Sequence, residues 1–300
     1  MKYRIDDFKI ADEKFKNEQK EEGTLKKNSK YREMPIASIV ILGAIILGCI
    51  FAKYISFEDP FYIYLDSVNI GPNSKFLFGT DTMGRDIFSS IWHGGKVSLI
   101  IGLLATVIST SIGVLYGSIS GFAYEIVDDF MMRFSEILLS IPSILIIMFI
   151  QGILGNNNVF SIAIVIGVTS WMSIAKMVRT EVKRIKECEY IVGARVMGGS
   201  FLYILRKHLI PNFIPVIMFM VVTNIASAIG IESTLSFLGI GLSVDIISWG
   251  TMLSLADGAL LTNSWWIIII PGLFLVTTLL CITNIGNYIR KNNNKKGNNL

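Results

Sequence analysis

The sequence predicts an all-α protein that crosses a membrane six times, and three observations carry that expectation. Hydrophobic residues make up 52% of the 300-residue chain and charged residues only 17%, where soluble domains carry about 25% charged. The missing charge is concentrated in long uncharged runs, several of them near the roughly 20 residues that cross a hydrocarbon core about 30 Å thick. Lysine and arginine are crowded into alternate connections, which orients such a chain by the positive-inside rule. A mean hydropathy of +0.58 argues against a cytoplasmic enzyme, a nucleic-acid-binding module or a disordered scaffold.

Six runs qualify. The first, 35–54, opens on Pro35, at a helix start where the missing N–H costs nothing. It follows a charged tail, 1–34, too long and too acidic for a signal peptide, so the run reads as an uncleaved anchor. After a polar segment, 55–96, a core of five further spans extends over 97–287. They lie at 97–122, 130–153, 159–178, 210–232 and 265–287. The last begins at Trp265 and Trp266, whose amphipathic rings suit the headgroup level. The stretch 235–247 is too short and glycine-broken to span, so 233–263 is expected to re-enter partly or to lie along the surface.

With the N-terminus inside, the inner connections hold 23 of the 27 basic residues. Only Lys53, Lys75, Arg85 and Lys96 fall outside. The expected arrangement is N-in and C-in. The 1–34 tail mixes basic and acidic side chains as a solvated extension would. The 288–300 tail is a basic flank suited to anionic lipid headgroups.

Ionisable residues within spans mark ion or proton pathways, and here they are scarce. Arg133 and Glu136 sit one turn apart and can pair with each other. Glu232 falls at the outer end of the fifth span, where an interfacial residue is the simplest reading and a polar contact in a translocation path the alternative. Ser109, Thr110, Ser111 and Asn224 are neutral groups of the kind that serve helix packing. Cys49, Cys188 and Cys281 are too few and scattered for a disulfide framework or metal cage, and His93 and His208 offer no metal site. No cofactor is expected.

The longest inner connection, 179–209, carries most information. Tyr190, Ala194 and Met197 recur at helical spacing as a narrow apolar stripe on a charged helix. Gly198 and Gly199 then stop that helix. Ser200 can cap a second short helix over 201–208, and Pro211 opens the next span. The product is a helix–turn–helix on the inner face. Any long loop can also fold back on its own spans, and composition alone does not separate the two.

The order of residues does. Ala194, Gly198 and the closing Leu209-Ile210-Pro211, with Glu189-Tyr190 ahead of them, resemble the EAA loop of ABC-importer permeases. Val192-Gly193-Ala194 stands where that family usually has Glu-Ala-Ala. A second resemblance is independent. The run Phe78-Gly79-Thr80-Asp81-Thr82-Met83-Gly84-Arg85-Asp86-Ile87-Phe88-Ser89 is similar to the signature of the dipeptide/oligopeptide permease family, C-type subunit. Here Asp81, Arg85 and Asp86 can build an ion-paired turn, with Gly79 and Gly84 supplying unusual backbone angles. It is not a phosphate loop, since no Lys-Ser/Thr follows. The runs 233–241 and 248–252, and Leu139-Ser140-Ile141-Pro142-Ser143, resemble further segments of the same family.

The resemblance implies the type I ABC-importer permease fold in a bacterial cytoplasmic membrane, multi-pass, surrounded by lipid. It implies a subunit that is not an enzyme and forms half of a pathway for dipeptides or oligopeptides. Its partners would be a second homologous permease, two cytoplasmic ABC ATPase subunits and an external substrate-binding protein, with no nucleic acid. Residues 187–208 would be the coupling helix that docks on the ATPase. The chain has no Walker motif of its own. Related permeases carry nickel and other small solutes, which stays open. A secondary transporter working without an ATPase is the alternative of another class, and it would show ionisable residues near the midplane. An intramembrane enzyme would need a convergent catalytic set, which the sequence lacks.

Overall fold

The computed structural model describes residues 34–155 and 157–297, so the charged tail read over 1–34 lies, but for Met34, outside the described residues. The described residues from Ser38 onward form one compact unit. Among the described residues there is no strand. An isolated antiparallel bridge joins Thr80 to Asp86.

The helices, in chain order, are α1 (Ile36–Ile50), α2 (Ala52–Ile55), α3 (Ile87–Phe122), α4 (Glu125–Ser140), α5 (Ser143–Leu154), α6 (Val159–Thr169), α7 (Met172–Ile185), α8 (Glu189–Val196), α9 (Phe201–Ile204), α10 (Ile210–Phe237), α11 (Trp249–Leu253), α12 (Ala256–Leu261) and α13 (Trp266–Gly297). Three are long and apolar enough to cross a membrane: α3, the continuous run Phe201–Phe237, and α13. Two further candidate spans are broken, α4 with α5 bent by 84° and α6 with α7 bent by 44°. The apolar α1 is shorter, at 15 residues.

α3 is the axis of the unit. It starts ten residues before the expected 97, because Asp86 caps it by accepting the Ser89 N–H at 2.9 Å. Its 36 residues run about 54 Å at 1.5 Å per residue. Its buried face is lined with small residues, among them Gly95, Ser98, Gly102, Ala105, Ser109, Gly113, Gly117 and Gly121. Such residues let helix backbones meet where apolar surroundings supply no drive for association. A Cβ on Gly117 would lie 2.3 Å from the Ala175 carbonyl oxygen of α7. One on Gly121 would lie 2.9 Å from the Arg179 oxygen. Gly102 meets Ile229 of α10 in the same way, and Gly167 of α6 meets Ile108. Asn224 of α10 donates to Ser109 Oγ at 2.6 Å, a neutral polar bond between packed helices.

Both breaks have local causes. Pro142 has no N–H and forces the residue before it out of the helical region; Ile141 is extended, at φ −92°, ψ 130°. The span expected over 130–153 is therefore two helices. At the second break Ser170 sits at φ −108°, ψ 6°, so 159–178 also divides, and α7 continues seven residues beyond the expected end.

Pro211 lies in the first turn of α10, as expected, but no break separates that helix from the turns before it. Leu205–Leu209 form a π turn, with the Ile210 N–H reaching the Leu205 carbonyl, and the helix passes through Pro211 without stopping. The wider turn relieves the clash and the lost donor that proline brings to a helix. The short helix expected over 201–208 is thus one turn of α-helix capped by Ser200 and this π turn. The last helix likewise outruns 265–287 and reaches Gly297.

The segment after α10 is buried in part, with Val244, Leu260 and Leu261 exposed. Ile247, Trp249 and Met252 belong to the main core cluster, and Trp249, wholly buried, donates its indole N–H to the Ile91 carbonyl at 3.1 Å. Glu232 anchors this segment. It is 0% exposed, not interfacial, and every lone-pair direction of its carboxylate is used. Ser248 (2.8 Å) and Ser236 (3.0 Å) donate to one oxygen, Ser98 (3.1 Å) and Ser233 (3.4 Å) to the other.

Gly117→Val should lower the thermal midpoint in detergent by several degrees, since overpacking costs about 1–3 kcal/mol. Gly43→Ala, whose Cβ meets nothing, should leave it unchanged or slightly raised. Glu232→Ala, which strands buried hydroxyls at about 1–3 kcal/mol each, should lower the midpoint further than Glu232→Gln does.

Candidate functional site

Three regions of the unit gather the candidate functional residues. At the C-terminal end of α3 lies the loop 186–209. Glu189 begins α8. The helix ends in a Schellman turn, with the Gly199 N–H bonded to the Ala194 carbonyl at 2.9 Å and the Gly198 N–H to that of Arg195 at 3.0 Å. Gly198 takes φ +81°, the left-handed angle that favours glycine. Gly199 is wedged instead, its Cβ position 2.7 Å from the Ala194 oxygen.

The loop packs back on its own helices through one face. Ile191 and Ala194 join Val178, Val182 and Leu205 in a buried cluster, and the Arg195 guanidinium lies over the Phe122 ring at the end of α3. The stripe expected from Tyr190, Ala194 and Met197 is therefore not one face. Eight residues of α-helix turn Ile191 and Ala194 inward and leave Tyr190 and Met197 outward. Val196 and Met197 are 82% and 83% exposed, with Leu202 and Tyr203 beside them across the turn. A Cβ at Gly193 or Gly198 meets nothing. The result is an open apolar surface centred on a rigid turn. Pro211 lies beyond the π turn, in the first turn of α10, and is not part of it.

Between the two ends of the α3 axis, α4, α5, α6, α7 and α10 line an open cavity of about 480 Å³. Both helix breaks open onto it: Leu139, Ile141, Pro142 and Ser143 from the first, Ser170, Met172 and Ser173 from the second. Thr223, Asn224 and Ser227 of α10 complete a wall of hydroxyls, one amide and apolar groups. None of its lining residues is ionisable.

At the N-terminal end of α3, residues 78–89 form a clasped turn. Gly79 and Gly84 take φ +78° and +81°, and a Cβ on either would strike a backbone carbonyl, of Ile70 at 2.6 Å or Tyr64 at 2.4 Å. Thr80 Oγ1 accepts the Ile70 N–H at 2.9 Å and donates to the Ser67 carbonyl. Trp266 donates to the Thr80 carbonyl at 3.1 Å, tying the turn to the start of α13. The expected ion-paired turn is not formed. Asp81 Oδ1 instead accepts the N–H groups of Met83 and Arg85, both at 2.8 Å, while Asp86 caps α3. The Arg85 guanidinium reaches the Val244 carbonyl at 3.2 Å. Backbone donors already in place outcompete a long side chain that would have to be ordered. Burial pushes the Asp81 carboxyl above the ordinary carboxylate range, against the pull of the Arg85 and Met83 N–H groups.

Arg133 and Glu136 do not pair either; Glu136 pairs with Lys176 of α7 at 3.3 Å. The cavity wall escaped the sequence reading because its polar residues are dispersed over several helices. The α3–α7 contact had a legible signal, the spacing Gly113-x-x-x-Gly117-x-x-x-Gly121, of the kind that packs membrane helices closely.

A family model described as "Binding-protein-dependent transport system inner membrane component" matches residues 113–294. The chain is 31% identical to the dipeptide transport system permease protein DppC of Bacillus subtilis, over 87% of this chain and 80% of that one. It is 34% identical to the oligopeptide transport system permease protein OppC of Bacillus subtilis, over 86% and 84%. To the OppC of Haemophilus influenzae it is 36% identical, over 85% and 82%. The chain belongs to the family of inner-membrane components of binding-protein-dependent transport systems.

Proposed function

We propose that this chain is a permease subunit of an ATP-driven importer for dipeptides or oligopeptides, which couples to cytoplasmic ATPase subunits through residues 187–208. The observation that carries this is the open apolar surface of Val196, Met197 and Leu202 around the Gly198 turn. Its opposite face is fixed to the ends of α3, α7 and α10, so a partner gripping the surface moves those helices. Glu189, Tyr190, Met197 and Gly198 would meet the ATPase. Ala194 and Gly199 hold the loop in shape, and Pro211 keeps its role in the helix that follows.

In this arrangement the chain spans the membrane six times, N-in and C-in, with α1 and the two broken pairs counted as one span each. The tails 1–34 and 288–300 and the loop 179–209 face the cytoplasm; 55–96 faces outward beside the motif at Gly79, Thr80, Asp81, Gly84, Arg85 and Asp86. A second homologous permease completes the pathway, and an external substrate-binding protein delivers the cargo. The chain itself has no catalytic role.

The cavity suits such cargo. Peptides of varied sequence share a backbone of amide donors and acceptors, and neutral hydroxyls and an amide can exchange bonds with it without holding any one side chain tightly. The peptide transport named for the relatives agrees with this lining.

Met197→Asp and Gly193→Trp alter the exposed surface without touching the chain's own packing. Each should reduce ATPase subunits co-purified with the chain at least tenfold, a change of about 1.4 kcal/mol, and peptide uptake with them, at normal membrane levels. Full co-purification from both variants would remove the docking role. Ser227→Asp places a charge in the cavity wall, costly in an apolar span by about 2.5–3.5 kcal/mol. It should cut peptide uptake at least tenfold while the ATPase subunits stay attached.

A further inference from the structure

α4 is weakly held by apolar packing. Of its 16 residues only Asp128, Met132 and Ser135 are buried, and Ile126, Phe130, Phe134 and Ile137 are exposed. Leu138 packs on Met172 and Ala175 of α7 and the Tyr116 hydroxyl of α3 donates to the Met131 carbonyl at 2.7 Å; the remaining ties to the unit are ionic. The Asp128 carboxylate is wholly buried and receives three side chains. Arg179 of α7 grips it with both arms of the guanidinium, Nε to Oδ1 at 2.5 Å and Nη2 to Oδ2 at 2.6 Å. Lys183, one turn further along α7, pairs with Oδ2. Ser120 at the end of α3 donates to Oδ1 at 2.5 Å. Two turns along α4 from Asp128, Glu136 meets Lys176, on the same face of α7.

α7 runs unbroken from the cavity, which Met172 and Ser173 line, to the residues that lead into α8. α4 ends at the Ile141–Pro142 bend, which lines the same cavity. Two helices that both reach the cavity are thus joined by a bidentate ion pair whose carboxylate is buried and whose guanidinium is partly exposed, the geometry in which a charge pair is stiff and directional. Breaking it strands a buried charge, so the two helices favour moving together.

We infer that Asp128, held by Arg179 and Lys183, is the positioning residue that carries displacement of the 187–208 loop through α7 to α4 and so to the Pro142 bend at the cavity. The inference rests on the coupling role proposed for that loop. Asp128 touches no cargo; it makes the cavity wall follow the loop.

The test uses the assembled complex of this chain with its partner permease and ATPase subunits, reconstituted in vesicles with the binding protein. Asp128→Asn should assemble normally and hydrolyse ATP within about twofold of wild type, while peptide imported per ATP falls at least tenfold. Arg179→Gln should do the same, and Arg179→Lys, which keeps a cation without the fork, should recover part of the ratio. If Asp128→Asn fails to accumulate, the ratio is read from the Arg179 pair, where Arg179 is partly exposed. An unchanged ratio in the Asp128 or Arg179→Gln variants overturns the inference. So does a parallel loss of hydrolysis and assembly, which marks a merely structural residue. Absence of ATPase subunits from the wild-type complex would instead overturn the proposed function.

Discussion

The close approach of helix backbones along α3 is the constraint on which the rest of the structure depends. Within apolar surroundings helices gain little from hiding hydrocarbon from one another, so contact has to come from fit. The fit here is made by leaving side chains out. Where Gly113, Gly117 and Gly121 stand, α7 sits against the backbone of α3, and where Gly102 stands, Ile229 of α10 fills the space. Both broken spans and the α10 span are registered on this one helix. The cavity is the room that remains where α4, α5, α6, α7 and α10 turn away from one another.

Polar groups have a different part at each level. Glu232 is saturated by four hydroxyls and holds the segment after α10 inside the unit. Asp128 is saturated by two cations and a hydroxyl and joins two helices that share little apolar contact. The clasped turn before α3 uses backbone carbonyls and Asp81 to fix the start of that helix. At Glu232 and Asp128 the buried carboxylate's acceptor positions are filled by these donors.

Much of this was legible in the sequence. The long apolar runs, the glycine stop at Gly198 and Gly199, the cap at Ser200 and the positive-φ glycines Gly79 and Gly84 follow from local rules that hold wherever the segment packs. What was not legible depends on partners far along the chain. Arg133 and Glu136 satisfy the short-range pairing rule of a single helix, yet the packing of α4 on α7 brings Lys176, 40 residues along the chain, to Glu136 instead. Arg85 has two nearby carboxylates in sequence, yet backbone N–H groups claim Asp81 and the guanidinium goes to Val244. The Tyr190, Ala194 and Met197 spacing was real, but helical phase on its own does not say which of the three is covered.

The cavity wall has a property with consequences for how it works over time. With no acid, base or histidine among its lining residues, its own charge stays fixed across the range of acidity a cell meets. These residues can supply hydrogen bonds and apolar contact but no counter-ion. A change of acidity therefore finds no group among them to act on.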